Sequence, residues 1–259
     1  MPMLGDDAEA LAPLNFSAML KSYAKINLTI DIMGRENGYH LIDTVMCEVA
    51  DLFDEIEVAV IRDGKSRIEI STDNKELNET PKKNTAYKAA KLLAGDSSVK
   101  ITIKKNIPLR SGLGGGSSNA AAVLKELNHQ LALGLDVHAL RILAAKISMD
   151  APFFITGGIA RATHYGEIIE PIKTDLVLKP KLIFLPGEKK STADMYKKID
   201  TMPAGQNRKK TENLIRALQE NNLQGVIENL HNDFDLLPSA TCNLPSTLSG
   251  SGPTRFKLT

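Results

Sequence analysis

Apolar and polar residues alternate along "KSYAKINLTIDIM", residues 21–33: Ala24, Ile26, Leu28, Ile30 and Ile32 fall on one face, and Tyr23, Lys25, Asn27, Thr29 and Asp31 on the other. A period of two marks a half-buried strand. "GRENGYH" follows, and its Asn37-Gly38 pair favours the positive φ angles of a tight turn, so a strand from about Tyr39 returns beside the first as a hairpin. Alternation recurs in "EIEVAVI" through Ile56, Val58 and Val60, in "RIEIS", and in "VKITIK" through Val99, Ile101 and Ile103. Between the last two, "NTAYKAAKLLAG" spaces Ala86, Ala89, Ala90 and Leu93 as one face of a helix, with Asn84 or Thr85 as cap and Gly95 as stop.

Farther along, "NAAAVLKELNHQLALG" predicts a helix closed by Gly134, and "DVHALRILAAKI" a second one capped by Asp136. "GGIARA" and "LIFLP" read as strands, and "TENLIRALQENNLQGVIENL" as one or two helices. Hairpins mixed with helices that do not alternate regularly argue for an α+β fold, not a parallel doubly wound sheet. "KTDLVLKPK" is a plausible boundary between two lobes, 18–175 and 176–259, and residues 1–17 form an extension with no assigned role. "PSATCNLPST", residues 238–247, has two prolines and no periodicity, and is expected to be irregular.

With 259 residues, 42% of them hydrophobic, the chain can bury the core of two lobes or of one large α/β unit. Lys and Arg number 32 against 31 for Asp and Glu, so the charge balance draws the chain neither to nucleic acid nor to an anionic membrane. A small-molecule partner is the better expectation. No apolar run approaches the roughly 18 residues of a membrane span, and the first residues lack the basic start of a secretory signal, so a soluble, cytoplasmic protein is expected. Cys47 and Cys242 are far apart and read as reduced structural thiols, with no disulfide and no metal site.

The candidate chemistry begins at "PLRSGLGGGSSNAAAVL", residues 108–124, where Gly112, Gly114, Gly115 and Gly116 precede an alanine-rich helix. Helix N-termini present unpaired N–H groups and the positive end of the dipole, and glycine lets backbone approach an anion closely. The segment can therefore hold a polyphosphate, with Ser117 or Ser118 on a phosphate oxygen or a magnesium ion; a purely steric surface turn is the alternative. It is neither a Walker A loop nor a dinucleotide fingerprint. Lys25 lies mid-strand beside Asn27, on the same face, as a solvated residue or a functional one. "ISMDAPFF" places Asp150 at a helix end, where the dipole disfavours a carboxylate, ahead of a Pro152 that stops the helix. A turn-forming role is its other reading.

Taken together, "YAKINLTIDIMGRENGYH", "IPLRSGLGGGSSNAA" and "MDAPFFITGG" resemble the motifs of the GHMP kinase superfamily, collinearly from about Ala18 to Leu185. The pairing of "AKINL" with "GRENGYH" narrows the likeness to the branch acting on a cytidyl-bearing substrate. The resemblance implies a two-lobed GHMP kinase fold, ATP and magnesium as cofactors, and phosphorylation of a 2-hydroxyl on a cytidine diphosphate derivative in isoprenoid precursor synthesis. It implies Asp150 as general base, with Lys25 keeping that carboxylate ionised and stabilising charge on the moving phosphoryl group. It places Lys105, Pro108, Leu109, Arg110, Ser111, Gly112, Leu113, Gly114, Gly115, Gly116, Ser117 and Ser118 around the nucleotide. Asn27, Tyr39, His40, Thr192 and Tyr196 fall on the substrate side, the last two from "KKSTADMY", four apart and so on one helix face. Without the resemblance, Tyr39 is a packing aromatic, His40 a surface histidine, and Thr192 and Tyr196 a helix cap and an amphipathic contact.

The likeness has departures. The irregular stretch 238–247 stands where the family has a helix, and the sequence stops seven residues after Gly252, where the family pattern continues through a strand and helix. That predicts a shortened second lobe with uncovered apolar surface, or a homodimer that covers it; monomer and homodimer both remain open. Arg110 and Ser111 replace residues that are commonly small or apolar. A GHMP kinase for another alcohol, of homoserine or mevalonate type, is the second enzyme reading. A catalytically weak nucleotide- or RNA-binding relative is the third, opposed by the near-neutral charge and by the absence of a basic stripe with interleaved aromatics.

Overall fold

In the computed structural model, residues 15–16, 18–185, 192–237 and 245–258 are described, with backbone alone at 15, 16, 192 and 193. The elements in chain order are β1 (Asn15–Phe16), β2 (Leu20–Glu36), β3 (Tyr39–Ile61), β4 (Ile68–Thr72), α1 (Lys75–Glu79), α2 (Thr85–Leu93) and β5 (Ser98–Lys104). After these come α3 (Gly115–Gln130), α4 (Val137–Ala145), α5 (Ala151–Thr156), β6 (Ile159–His164), β7 (Ile168–Pro171) and β8 (Pro180–Ile183). The chain continues with α6 (Thr192–Ile199), α7 (Arg208–Gln219), α8 (Leu223–Glu228), β9 (His231–Asn232), β10 (Thr247–Leu248) and β11 (Arg255–Leu258). The mixture is α+β, as the pattern implies.

The hairpin forms where Asn37-Gly38 predicts it. Asn37 and Gly38 take φ of 49° and 83°, and Glu36 pairs with Tyr39 and Arg35 with His40 across the turn. The return strand and "EIEVAVI" are one element, since β3 runs unbroken for 23 residues. Its length serves two partners on one edge: residues 42–47 pair with β6 and residues 55–61 with β5, while β2 follows the other edge. Asn84 caps α2 by accepting from the Ala86 amide, and Asp136 caps α4 by accepting from the Ala139 amide. α3 begins at Gly115, four residues before the expected "NAAAV", because Gly114 at φ 73° turns the chain into the helix.

Two expectations for β2 need correction. Its polar face is not solvated: Lys25, Asn27, Thr29 and Asp31 are all buried. Nor does the alternation hold to the end, for the β2–β3 register slips between Asn27 and Thr29. One extra residue in a strand reverses which side every later residue faces. Ala24, Ile26 and Leu28 pack with Leu214, Leu218, Val226 and Phe256 of α7, α8 and β11. Ile30 and Ile32 turn instead to Met195, Phe234 and Leu248, and Asp31 takes the α7 side, accepting a 2.6 Å hydrogen bond from Thr211.

Among the described residues, eight strands form one sheet, in which β9 adds in parallel beside β2; β10, β11 and β8 form a second. Helices α2, α3, α4 and α5 cover one face of the larger sheet through Ala89, Ala90, Ala120, Leu124, Ala144 and Phe153. The many alanines let these helices lie close to the sheet and to each other. No helix among the described residues is long and apolar enough to cross a membrane.

Cys47 of β3 sits in the core cluster that also holds Leu214 and Leu218 of α7, 4% exposed and free of any disulfide; Cys242 lies outside the described residues. Burial, with Glu48 adding to it, pushes the Cys47 thiol up to about 12. The thiolate is the nucleophile, so Cys47 is inert in the folded chain at pH 8. Peptide-resolved mass spectrometry after iodoacetamide treatment is expected to find Cys47 unmodified in native protein and fully alkylated in denaturant; native labelling would place it at the surface.

Candidate active site

A cleft of about 670 Å³ runs between the glycine loop, the β2–β3 hairpin tip and the start of α5. The loop is anchored at its entry by Asp54 of β3, which is wholly buried and accepts from the amides of Asn106 and Ile107, each at 2.8 Å. Lys105 joins the same carboxylate in a buried ion pair, and its ammonium also lies against Gly115. The Lys105 charge is thus largely matched within the protein, although its side chain lines the cleft. Asp54 leaves no mark in the loop's own sequence.

From Pro108 to Ser117 every residue lines the cleft except Leu113. Arg110 takes φ of 54° and pairs at the surface with Glu76 of α1. The Leu113 side chain is in the core and does not line the cleft, but its carbonyl accepts from the Lys25 amide at 2.9 Å and ties the loop to β2. Ser118 also departs from expectation. Its hydroxyl is buried and accepts from Ser22, so Ser117 is the hydroxyl left to the cleft, where it accepts from Ser148 at 2.8 Å.

Two glycines are required by close approach. At Gly112, φ 83°, a Cβ would stand 2.2 Å from the Ser249 carbonyl oxygen; at Gly114, φ 73°, it would stand 2.8 Å from the Phe154 ring and 3.1 Å from Lys25 Cγ. "LSGSGP", residues 248–253, therefore packs directly on the loop, and Ser111 accepts from the Thr254 amide there. The first turn of α3, with its unpaired N–H groups, opens between these contacts.

Lys25 crosses this floor. Its ammonium donates to Asn27 Oδ1 at 2.6 Å and lies 3.5 Å from Asp150 Oδ2, with side-chain exposures of 3% for Lys25 and 39% for Asp150. Asn27 in turn donates to Thr44, and Thr44 to the Thr29 carbonyl. A buried ammonium without partners is strongly unfavourable, which rules out the solvated-lysine reading. Asp150 also sits differently from the expectation: α4 ends at Ala145, and Asp150 occupies the position before the first residue of α5, with Pro152 inside the first turn. Proline is tolerated there because the first-turn N–H groups have no helical partner. The carboxylate therefore stands at a favourable helix start and not at an unfavourable end.

Beyond this pair the walls become aromatic. Tyr39 is 61% exposed and its ring lies 5.4 Å from that of Tyr165; His40 stacks at 4.5 Å on Tyr196, whose edge meets Phe234 at 5.0 Å. Burial, with Asp150 nearby, raises the Tyr196 hydroxyl well above the usual phenol range. Thr192 opens α6 one turn before Tyr196, but its side chain lies outside the described residues. Tyr165, Phe234, Glu76, Ser148, Gly250 and Ser251 also line the cleft and were not singled out from the sequence. The glycine spacing of "LSGSGP" is the one signal that could have found Gly250 and Ser251. Among the described residues, no group of three or more His, Cys, Asp or Glu is placed to hold a metal ion.

Residues 84–158 match the family model of the GHMP kinases N terminal domain. The 4-diphosphocytidyl-2-C-methyl-D-erythritol kinase of Alkaliphilus metalliredigens is 38% identical over 259 residues, spanning 92% of this chain and 86% of the relative. A crystal structure of 4-(cytidine 5'-diphospho)-2C-methyl-D-erythritol kinase superposes with a TM-score of 0.72 at 27% identity, covering 93% of this chain and 90% of that one. L. major mevalonate kinase in complex with R-mevalonate superposes at 0.69 with 14% identity, covering 94% and 87%, and shares the fold alone.

Gly112→Ala and Gly134→Ala separate the close approach from backbone strain, since both have positive φ but Gly134 has open space around its Cβ position. Denaturant unfolding is expected to show Gly134→Ala costing about 1–2 kcal/mol and Gly112→Ala clearly more. Equal costs would mean that the 248–253 segment does not press on the loop.

Proposed function

This chain belongs to the 4-diphosphocytidyl-2-C-methyl-D-erythritol kinases, and on that premise we propose that it transfers the γ-phosphoryl group of ATP to the 2-hydroxyl of 4-diphosphocytidyl-2-C-methyl-D-erythritol, releasing ADP. The observation that carries this reading is the layout of one cleft, with a glycine-rich helix start at one end, aromatic rings at the other, and Lys25 with Asp150 between them.

At the nucleotide end, Pro108 to Ser117 supply bare backbone and the first turn of α3, a cradle suited to a triphosphate. Gly114 lets this turn lie directly against Phe154 and Lys25, where a side chain would clash. Ser117 is the loop hydroxyl that would help hold a magnesium ion brought in with ATP, and such an ion would offset phosphate charge. Its remaining ligands would be phosphate oxygens and water, the usual environment of this ion.

In the chemical step Asp150 accepts the proton of the substrate hydroxyl as the oxygen attacks the γ-phosphorus. The bond to the bridging oxygen of ADP breaks as the new P–O bond forms. The Lys25 ammonium, held by Asn27 within the sheet, fixes the carboxylate from one side and stabilises negative charge on the transferring phosphoryl oxygens. Its position is set by the strand and its low exposure strengthens its field, since water screens it little. Tyr39, His40 and Tyr196, with Thr192 at the start of α6, hold the cytosine ring at the far end, and their distance from the phosphates sets which hydroxyl reaches Asp150.

ADP release by the purified chain is expected with ATP, magnesium and the cytidyl substrate, and not with homoserine or mevalonate; turnover of either alcohol instead would contradict the reading. Asp150→Asn is expected to lower kcat by roughly 10²–10⁴ while ATP still binds within about twofold of the parent affinity. Equal loss of nucleotide binding would make Asp150 a structural residue.

A further inference from the structure

At the hairpin tip, His40 Nε2 lies 2.6 Å from Asp200 Oδ1. Asp200 directly follows α6, the helix that carries Tyr196, and its other oxygen accepts from Arg35 Nη1 at 3.0 Å. Arg35 is itself fixed to the hairpin turn, donating from Nη2 to the Gly38 carbonyl. A carboxylate so held accepts hydrogen bonds and does not donate them, so the nitrogen facing it must carry the hydrogen. Neutral His40 is then the Nε2–H tautomer, with a bare lone pair on Nδ1. Nδ1 has no partner among the described residues, and His40 lines the cleft with its ring stacked on Tyr196.

We propose that Asp200 is a specificity-determining positioning residue, which fixes the His40 tautomer so that the ring presents an acceptor to the nucleobase. The inference rests on the kinase reading above and extends it by naming what selects the base. An acceptor suits the exocyclic amino group of cytosine and opposes the carbonyl oxygen that uracil carries at the same place. Arg35 completes the device by holding Asp200 in register with the hairpin.

Asp200→Asn tests the tautomer and changes little else in shape. Arg35 keeps the amide oxygen, the amide NH₂ turns to His40 Nε2, and the ring hydrogen moves to Nδ1, which becomes a donor. Steady-state kinetics are run on parent, Asp200→Asn and Asp200→Glu proteins, with the cytidyl substrate and its uridyl counterpart. The parent is expected to prefer the cytidyl substrate, and a parent without that preference would overturn the proposal. In Asp200→Asn that preference in kcat/KM is expected to fall by about tenfold or more, since one mismatched hydrogen bond in a recognition site carries at least this much. The change enters through KM for the cytidyl substrate, with kcat and KM for ATP within about twofold of the parent. Asp200→Glu keeps an acceptor-only group and is expected to restore the parental preference to within about threefold. An unchanged preference in Asp200→Asn overturns the proposal and leaves the kinase reading intact. Loss of preference in both variants, or loss of kcat and ATP affinity with it, makes Asp200 a structural cap of the helix and overturns it as well. If the parent itself turns over neither substrate, the kinase reading fails and this proposal falls with it.

Discussion

A lysine ammonium in the middle of a buried strand constrains everything around it. Lys25 has a side chain 3% exposed, so its charge has to be answered by fixed partners and not by water. Asn27, two residues on, supplies one from the same strand face, and Thr44 of the neighbouring strand holds Asn27 in turn. Asp150 supplies the other from a turn distant in sequence, which requires α3 and α5 to pack where they do. The Lys25 amide meanwhile ties down the glycine loop by donating to the Leu113 carbonyl. One residue therefore sets the positions of a carboxylate and of a phosphate-sized cradle relative to the central sheet.

Two backbone devices make this arrangement possible. The register slip after Asn27 lets β2 present Lys25 and Asn27 to the cleft and then Ile30 to its aromatic end, where strict alternation would have carried Ile30 to the opposite side. Asp31 is turned toward α7 by the same slip and meets Thr211 and His231, joining the helices of the C-terminal third to the strand that carries the site. The second device is the contact between Gly112 and residues 249–252, which brings a late segment of the chain against an early loop with no room for a side chain. Both join elements far apart in sequence, so the cleft is completed only when the whole fold has formed.

What the sequence made legible follows from how local each signal is. The Asn37-Gly38 turn, the Asn84 and Asp136 caps and the alternation of β5 depend on a few adjacent residues, and all appear where expected. Lys25 and Asn27 share a face because two residues separate them. The bulge at Leu28 was not legible, since every residue around it satisfies the alternating pattern and only pairing with β3 shows the slip. Asp54, Phe234 and Tyr165 escaped for a related reason: each reaches the site from an element whose local sequence is ordinary. Asp150 does lie beside Lys25, but the sequence reading places it at the wrong end of a helix, because a proline reads as a stop until the following turn is seen to be helical. Leu113 and Ser118 show the converse error, in which a motif read as a block hides the two side chains that face the core.

The most direct test of the account is a crystal structure of the chain with the cytidyl substrate and a non-hydrolysable ATP analogue bound together. The account predicts the γ-phosphate over the first turn of α3, the cytosine between Tyr39 and Tyr196, and the substrate 2-hydroxyl within hydrogen-bond distance of the Asp150 carboxylate. A substrate lying with its hydroxyl out of reach of Asp150, or a nucleotide seated away from the glycine loop, would contradict it.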